Sequence, residues 1–495
     1  MSKKKEPPRS HVRVDINAPR SACFICVHLC SSVVKFSRLM NLPRELASLL
    51  SEVPALSRAY LVGGCVRDAL LDIVHQDLDL EVYGVGYETL ARGLRKHGRV
   101  DLVGKSFGVI KFSSRSGSQW DFSLPRRDSK KSTGHTGFQV EFDPDINPRE
   151  AASRRDFTIN ALMFDPRTGE YLDFFGGRED LKKHMLRHTS PAFVEDPLRV
   201  LRGMQFAARF DLTPAPETLE LCRSIAGTFS ELAVERVGME WFKWAATSRR
   251  PSAGLQFLKA TGWLKHFTEI AALDGTPQDP DWHPEGDVFT HTCHCCDALV
   301  GLPEWQTAEV GTRQVLMFAV LAHDFAKPQT THQAERDGRM RIVSPGHEEQ
   351  GGPLAESFLT RIGAPNEIKE RVPPLVKHHL AHLQMASDRS VRRLANALKP
   401  ATIEELCVVM IADQFGRPPK PRVEHAGVAG LRVRAEALRL RDAAPKPLLQ
   451  GRHLIACGMK PGAEFGTLLS EAFEAQLEGT FTNLEGALKW LERRI

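Results

Sequence analysis

The segment DLDLEV places Asp77, Asp79 and Glu81 at alternate positions. Side chains alternate across a strand, so these acids share one face while Leu78, Leu80 and Val82 take the other. Carboxylates about 7 Å apart along a strand can hold hard divalent cations together with triphosphate oxygens. In nucleotidyl transfer two such cations stabilise the attacking 3′ oxygen and the leaving pyrophosphate. Asp121, in the later strand-like segment WDFSLP, is a candidate third carboxylate. Alone, D-x-D also describes an exposed strand edge with solvated acids. Upstream, however, lies Gly63-Gly64-Cys65-Val66-Arg67-Asp68, a glycine pair that ends a strand and opens a helix. Glycines permit close backbone approach to phosphate, and a helix start favours anions. Arg67 falls in the first turn, within reach of a β- or γ-phosphate. The ordered set G-G-x-x-R-D followed by D-x-D reads as a nucleotide site.

Two further constellations follow. In EDPLR, Asp196 and Arg199 are three apart, the spacing of neighbours on one helix face. A carboxylate acceptor beside a guanidinium donor suits the amino group of C or A and rejects the carbonyl edge of U. An intrahelical salt bridge is the alternative. Between 283 and 413 lie His291, the pair His323-Asp324, His347, the pair His378-His379 and Asp413. Histidine and carboxylate ligands gathered on helices suit transition metals or magnesium. The apolar run in FAVLAHDFAKP buries a helix and points its end, His323-Asp324, into a cavity. With 19 histidines in the chain, dispersed surface and capping histidines are the alternative.

These residues need a scaffold. Across 59–165, AYLVGG, DLDLEVYG, GVIKF and QWDFSLP have strand patterns and CVRDALLD a helical one, which indicates an α+β or α/β domain. From about 175 onward the patterns are helical, as in LRVLRGMQFAARF and RVGMEWFKWAATS. Pro/Gly-rich breaks near 273–286 and 416–430 are candidate boundaries. At 495 residues and 42% hydrophobic content the chain is globular and long enough for two to four domains. A net charge of +5 permits a nucleic-acid partner without demonstrating one. Ten cysteines without tight repeated spacing indicate reduced thiols and a cytoplasmic enzyme. Cys293, Cys295 and Cys296 are expected to be small buried residues rather than zinc ligands. No apolar run has the length of a membrane span. Residues 1–39, with Lys3 to Lys5 and a short interrupted apolar stretch, are expected to be a disordered extension or a misassigned start, with Met40 the true one.

Residues 59–245 resemble the class II tRNA CCA-adding enzyme and bacterial poly(A) polymerase family. The resemblance rests on LVGGCVRDALL, DLDLEVYG, RRDFTINALMFD, DFFGGREDL, FVEDPLRVLRGMQFAARF and ERVGMEW, in family order. It implies an α+β chain: a small mixed-sheet, DNA polymerase β-like head over 40–175, then a helical neck over 176–272. Asp77 and Asp79 would bind Mg2+, and Gly63, Gly64 and Arg67 would hold the triphosphate. Arg155 would contact the nucleotide, Asp156 and Asn160 would shape the ribose pocket, Asp196 and Arg199 would read the base edge, and Arg202 would reach the phosphates. One departure stands out: the family commonly carries another arginine where this chain has Gln205, which removes a charge from the phosphate-binding face.

HPEGDVFTHT, LAHDFAKP, SPGHEEQGGPLAE, LVKHHLAH and VMIADQFGR resemble the HD phosphohydrolase domain of multifunctional bacterial CCA-adding enzymes. The resemblance implies an HD domain over 273–425 and a helical tail over 426–495. The implied metal ligands are His291, His323, Asp324, His347, His378 and Asp413. Of the adjacent pair, His378 is the expected ligand, with His379 next. Ni, Mn, Co, Zn or Mg2+ would serve in a 2′,3′-cyclic phosphodiesterase or phosphatase. Lys327 is kept, while Ala326 stands where the family usually has glycine. The implied substrates are ATP, CTP and a tRNA or other RNA 3′ end, with no membrane partner. Lys377, Arg392, Arg393, Arg417, Lys420 and Arg422 are candidates for the RNA backbone. Two alternatives remain open at this stage. One is an A-only or CC-only adding enzyme or poly(A) polymerase of the same fold. The other is mainly a phosphohydrolase with an RNA-binding transferase-like half.

Overall fold

Leu80 and Val82 are completely buried and Leu78 nearly so, which seats the strand Asp79–Val82 inside a sheet. The computed structural model describes residues 40, 42–74, 77–101, 108–130, 138–384 and 387–495, with no side-chain description for 127–130 and 138–141. The expectations for residues 1–39 lie outside the described residues. The sheet has seven strands in the spatial order Gly98–Asp101, Val109–Ser114, Gln119–Ser123, Asp79–Val82, Ala59–Val62, Met163–Asp165 and Glu170–Leu172. Asp79–Val82 and Gln119–Ser123 run parallel, and the other neighbours are antiparallel. The sheet is therefore mixed. The parallel pairing has a chemical consequence, because it sets Asp79 directly beside Asp121. The acid alternation stops at Glu81, which is buried and accepts a hydrogen bond from Tyr83 Oη at 2.7 Å.

Beyond the sheet the chain is mostly helical. The helix Leu198–Phe210 packs on Val234–Thr247 and Pro251–Ala260. Trp241 packs edge-to-face on Trp244 and on Phe358, so this bundle shares an aromatic core with the helix His347–Arg361. Edge-to-face pairs of this kind contribute about 0.5–1.5 kcal/mol beyond their burial. The helix Val310–Ala322 is buried without a break from Val315 to Ala322 and ends immediately before His323. A stretch that is apolar all round must lie inside the fold, so the run Val315–Ala322 places His323 and Asp324 in the interior as expected. Val288–Val300, His347–Arg361, Asn366–Lys377 and Ile403–Phe415 surround it. Two short sheets interrupt the helical parts: Met185–Leu186 with Thr213–Pro214, and the hairpin His332–Arg336 with Arg339–Val343. The last helices enclose a separate small core around Leu449, Leu454, Phe481, Trp490 and Leu491. Among the described residues no helix is long and apolar enough to cross a membrane.

Candidate nucleotide cavity and histidine–aspartate metal centre

A cavity of about 1040 Å³ opens between the sheet and the helix Leu198–Phe210. Its walls include Gly63, Gly64, Arg67, Asp77, Asp79, Arg155, Asp156, Asn160, Asp196, Arg199 and Arg202. The sequence-predicted nucleotide residues thus converge on one space. Gly63 has φ +74° and ψ −129°, a conformation open to glycine but not to side-chain-bearing residues. A Cβ there would also lie 2.9 Å from an Arg155 guanidinium nitrogen. Arg67 is buried, donates from Nε to Asp68 Oδ1 at 2.8 Å, and also donates to Asn160 Oδ1. Its guanidinium lies 4.4 Å from the Phe210 ring centroid. Asp156 accepts from Phe157 N at 2.8 Å, Asn160 Nδ2 at 3.0 Å and Arg202 Nε at 2.6 Å. Burial alone would raise its pKa, but the Arg202 charge and these hydrogen bonds outweigh burial and hold it low. A chain of fixed partners therefore runs from Arg67 through Asn160 and Asp156 to Arg202, which sets both arginines before a ligand arrives.

Asp79 is exposed to the cavity, as is Asp77 in the segment just before the strand. Partial loss of water and the neighbouring Asp121 carboxylate raise the Asp79 pKa, and Arg155 partly offsets them. Such crowding of like charge is relieved by a divalent cation, so Asp77, Asp79 and Asp121 fit that role. Gln205, where the family commonly has arginine, is buried against the same cavity, and among the described residues its Nε2 has no hydrogen-bond partner.

The base-reading pair is built differently from the expectation. Asp196 is not on the helix, which starts at Leu198. Pro197 separates them, and Asp196 Oδ1 accepts from Leu198 N at 3.1 Å. Its Oδ2 accepts from Arg236 Nη2 at 2.8 Å. Arg199 donates to Ala192 O at 2.8 Å and to Arg154 O at 2.6 Å. Helix periodicity is thus not what brings the two together; a cap and two carbonyl anchors do. A guanidinium has five N–H groups and a carboxylate about four acceptor positions, so these bonds fix both groups without exhausting them. Arg236 was missed as a positioning group, although it lies within the quoted ERVGMEW.

The second constellation closes into a buried cluster. His291 Nε2 lies 3.1 Å from Asp413 Oδ1 and 3.4 Å from His323 Nε2. His347 Nε2 lies 3.4 Å from Asp324 Oδ1 and 3.2 Å from His379 Nε2. The Nδ1 atoms of His323, His347 and His379 point at the carbonyls of Val320, Ser344 and Val376. His291 Nδ1 is 2.7 Å from Glu285 Oε1. Anchoring each Nδ1 turns each Nε2 inward with its lone pair available, the arrangement of a metal-binding imidazole. Burial works against the Glu285 charge, but His283 and His291 lower its pKa to about 2. Asp324 is 1% exposed and neither carboxylate oxygen accepts a well-directed hydrogen bond, although Lys327 Nζ is 2.7 Å from Oδ2. A buried carboxylate left in this state fits a cation. Burial and the charges of His323 and His347 push the His379 pKa down to about 3. Asp324, Lys327, His347, His379, Asp413 and Arg417 line a cavity of about 420 Å³.

Three expectations need correction. His379, not His378, joins the cluster: His378 is the residue that ends the helix Asn366–Lys377, and its ring stays outside the ligand groups. Arg417 is not a surface phosphate contact, because Nη2 pairs with Asp413 Oδ1 at 2.6 Å beside the cluster. Lys377, Arg392, Arg393 and Lys420 are engaged with Glu349, Leu477 O, Glu478 and the Asp281 and Trp282 carbonyls; Arg422 is exposed. Cys293, Cys295 and Cys296 are buried free thiols as expected, but Cys295 Sγ also reaches His291 Nε2 at 3.3 Å.

Residues 59–187 match the family described as the poly A polymerase head domain, and residues 299–417 match the HD domain. The multifunctional CCA protein of Pasteurella multocida is 35% identical over 385 residues, which cover 74% of this chain and 86% of that protein. Among solved structures, the Bacillus stearothermophilus CCA-adding enzyme in complex with CTP superposes with a TM-score of 0.60 at 20% identity, covering 92% of this chain and 98% of that one. The Thermotoga maritima CCA-adding enzyme complexed with tRNA gives 0.57 at 19% identity, covering 92% and 96%. At these identities the superpositions speak for the fold.

Proposed function

Because the chain belongs to the family of multifunctional CCA proteins, we propose that it adds C and A to the 3′ end of tRNA from CTP and ATP without a template, and carries a second, phosphohydrolase site. The observation that carries the first part is the convergence of Asp77 and Asp79, Arg67 and Arg202, and Asp196 and Arg199 on one cavity. Asp77 and Asp79, with Asp121 beside Asp79, would hold Mg2+; when bound, the cation supplies positive charge to the attacking and leaving oxygens. Arg67, Arg155 and Arg202 neutralise the triphosphate, with Gly63 and Gly64 allowing its close approach. Asp156 and Asn160 fix the ribose side. Asp196 accepts from the exocyclic amino group that C and A share, and Arg199 donates to the neighbouring ring acceptor. Uracil offers a carbonyl at that edge, which leaves the half-buried carboxylate facing another acceptor.

The cluster of His291, His323, Asp324, His347, His379 and Asp413 would hold one or two divalent ions. Its nitrogen-rich set favours Ni, Mn, Co or Zn over Mg2+. When bound, such an ion supplies Lewis acidity for phosphoester hydrolysis. Lys327 and Arg417 add positive charge at the cavity wall, suited to a 2′,3′-cyclic phosphate or a phosphomonoester. The reading places the enzyme in the cytoplasm, where tRNA ends are matured.

Incorporation assays on tRNAs lacking the whole CCA, lacking only the final A, or already complete test the transfer reading. CTP should extend the first, ATP the second, and neither the third. Addition of A alone to all three would point to poly(A) polymerase activity instead.

A further inference from the structure

Cys295 lies four residues after His291 on the helix Val288–Val300, so both project from one face. Its Sγ is 3.3 Å from His291 Nε2. A tetrahedron of ligands about 2.1 Å from a central ion has edges of about 3.4 Å. From His291 Nε2 the distances to Cys295 Sγ, His323 Nε2 and Asp413 Oδ1 are 3.3, 3.4 and 3.1 Å, close to three of its six edges, and His323 Nε2 lies 4.0 Å from Asp413 Oδ1. All four ligand atoms lie within 4.8 Å of one another.

An under-satisfied buried carboxylate points to a cation here, and the packing leaves room for the thiol. Asp324, adjoining this quartet with Oδ2 3.3 Å from His323 Nε2 and 2.7 Å from Lys327 Nζ, is 1% exposed, and among the described residues its Oδ1 accepts no hydrogen bond. In addition, Gly416 at the end of the helix Ile403–Phe415 has φ −76°, which any residue can adopt. A Cβ there would nevertheless come 2.3 Å from Cys295 Sγ and 2.9 Å from its Cα. The missing side chain at 416 leaves the space that the thiol occupies, and the thiol also reaches Asp413 O at 3.7 Å.

Asp413 joins the two parts of the cluster. Asp324, His347, His379 and Asp413 line the 420 Å³ cavity, whereas His291, His323 and Cys295 are not among its walls. We propose that Cys295 is the fourth protein ligand of an inner subsite made with His291, His323 and Asp413. This subsite selects a thiophilic cation such as Zn2+ or Co2+ over Mg2+ or Mn2+. The neighbouring group of Asp324, His347 and His379 faces the same cavity as Asp413. On binding, the Cys295 thiol gives its proton to solvent and the sulfur bonds the cation. The proposal rests on the reading of the cluster as a metal site.

The test is a Co2+ titration of the metal-stripped full-length protein followed by absorption. A D79A background keeps the oxygen-ligand cavity out of the titration. The first equivalent should produce a thiolate-to-cobalt charge-transfer band with strong tetrahedral visible bands. C295S and C295A should lose the charge-transfer band and weaken Zn2+ in chelator competition at least about tenfold. C293S and C296S should keep both. Wild-type visible bands without charge transfer would overturn the Cys295 assignment and leave the metal reading standing, as would a band that survives in C295S or C295A. An unchanged spectrum and melting temperature with every cation tried would overturn both. If neither Cys295 variant folds, the parent spectrum compared with C293S and C296S still decides the outcome.

Discussion

The nucleotide cavity and the histidine cluster both gather carboxylates, yet they are opposite kinds of site. Asp77 and Asp79 are exposed to a wide, arginine-lined space, and among the described residues no group of three close ligands forms there. In the cluster, His291, His323, Asp324, His379 and Asp413 are at most 3% exposed, and the imidazoles are pinned through Nδ1. The first site is half-built, because a triphosphate would complete the coordination of its cation. The second is prebuilt by protein alone, at the cost of buried charge that Lys327 and Arg417 offset in part and a cation would offset further. Dependence on substrate and dependence on packing should therefore separate the two in experiment.

The largest effect is expected at the half-built site. Asp79→Ala should lower nucleotide addition at least about 10³-fold, roughly 4 kcal/mol, with little change in melting temperature, because the carboxylate is exposed. Near-normal addition with Mg2+ in a folded variant would remove the two-carboxylate assignment. Asp196→Ala or Arg199→Ala should cost roughly 2–4 kcal/mol of discrimination against UTP. Competition among the four nucleotides reads this directly, and an unchanged preference would refute it. At the prebuilt site, His379→Ala should weaken metal binding about 10–100-fold, whereas His378→Ala should leave it unchanged. Equal losses from the two, followed by calorimetric titration, would contradict the placement of His379. The smallest effect is expected for Arg236→Ala, which unpins Asp196 without removing it. It should cost about 1 kcal/mol of base selectivity, and a loss as large as that of Asp196→Ala would make Arg236 a direct contact.

What was legible in the sequence follows the same physics. Strand alternation located Asp77 and Asp79, and the parallel pairing then set Asp121 where the reading wanted it. The buried apolar helix ending at His323 was visible in FAVLA because a helix apolar all round has to be interior. Three things were not legible. Spacing of three suggested a shared helix face for Asp196 and Arg199, but Pro197 intervenes and Asp196 acts as a cap. The choice between His378 and His379 fell at a helix end, where periodicity no longer sets direction. Arg236 and Glu285 act by holding other groups, so nothing in their own spacing announces a role. The i, i+4 relation of His291 and Cys295 was readable, but burial is the commoner fate of a helical cysteine.

The central claim is that two independent active sites share one chain; among the described residues, none lines both cavities. The most direct measurement is a crossed pair of rates: nucleotide addition and 2′,3′-cyclic phosphate hydrolysis, each on Asp79→Ala and on the His323→Ala/Asp324→Ala double variant, with Mg2+ and then Ni2+ supplied. Asp79→Ala should lose addition and keep hydrolysis. The double variant should lose hydrolysis and keep addition within about twofold, as separated sites do. A double variant that remains folded yet loses both activities would contradict the independence of the two sites.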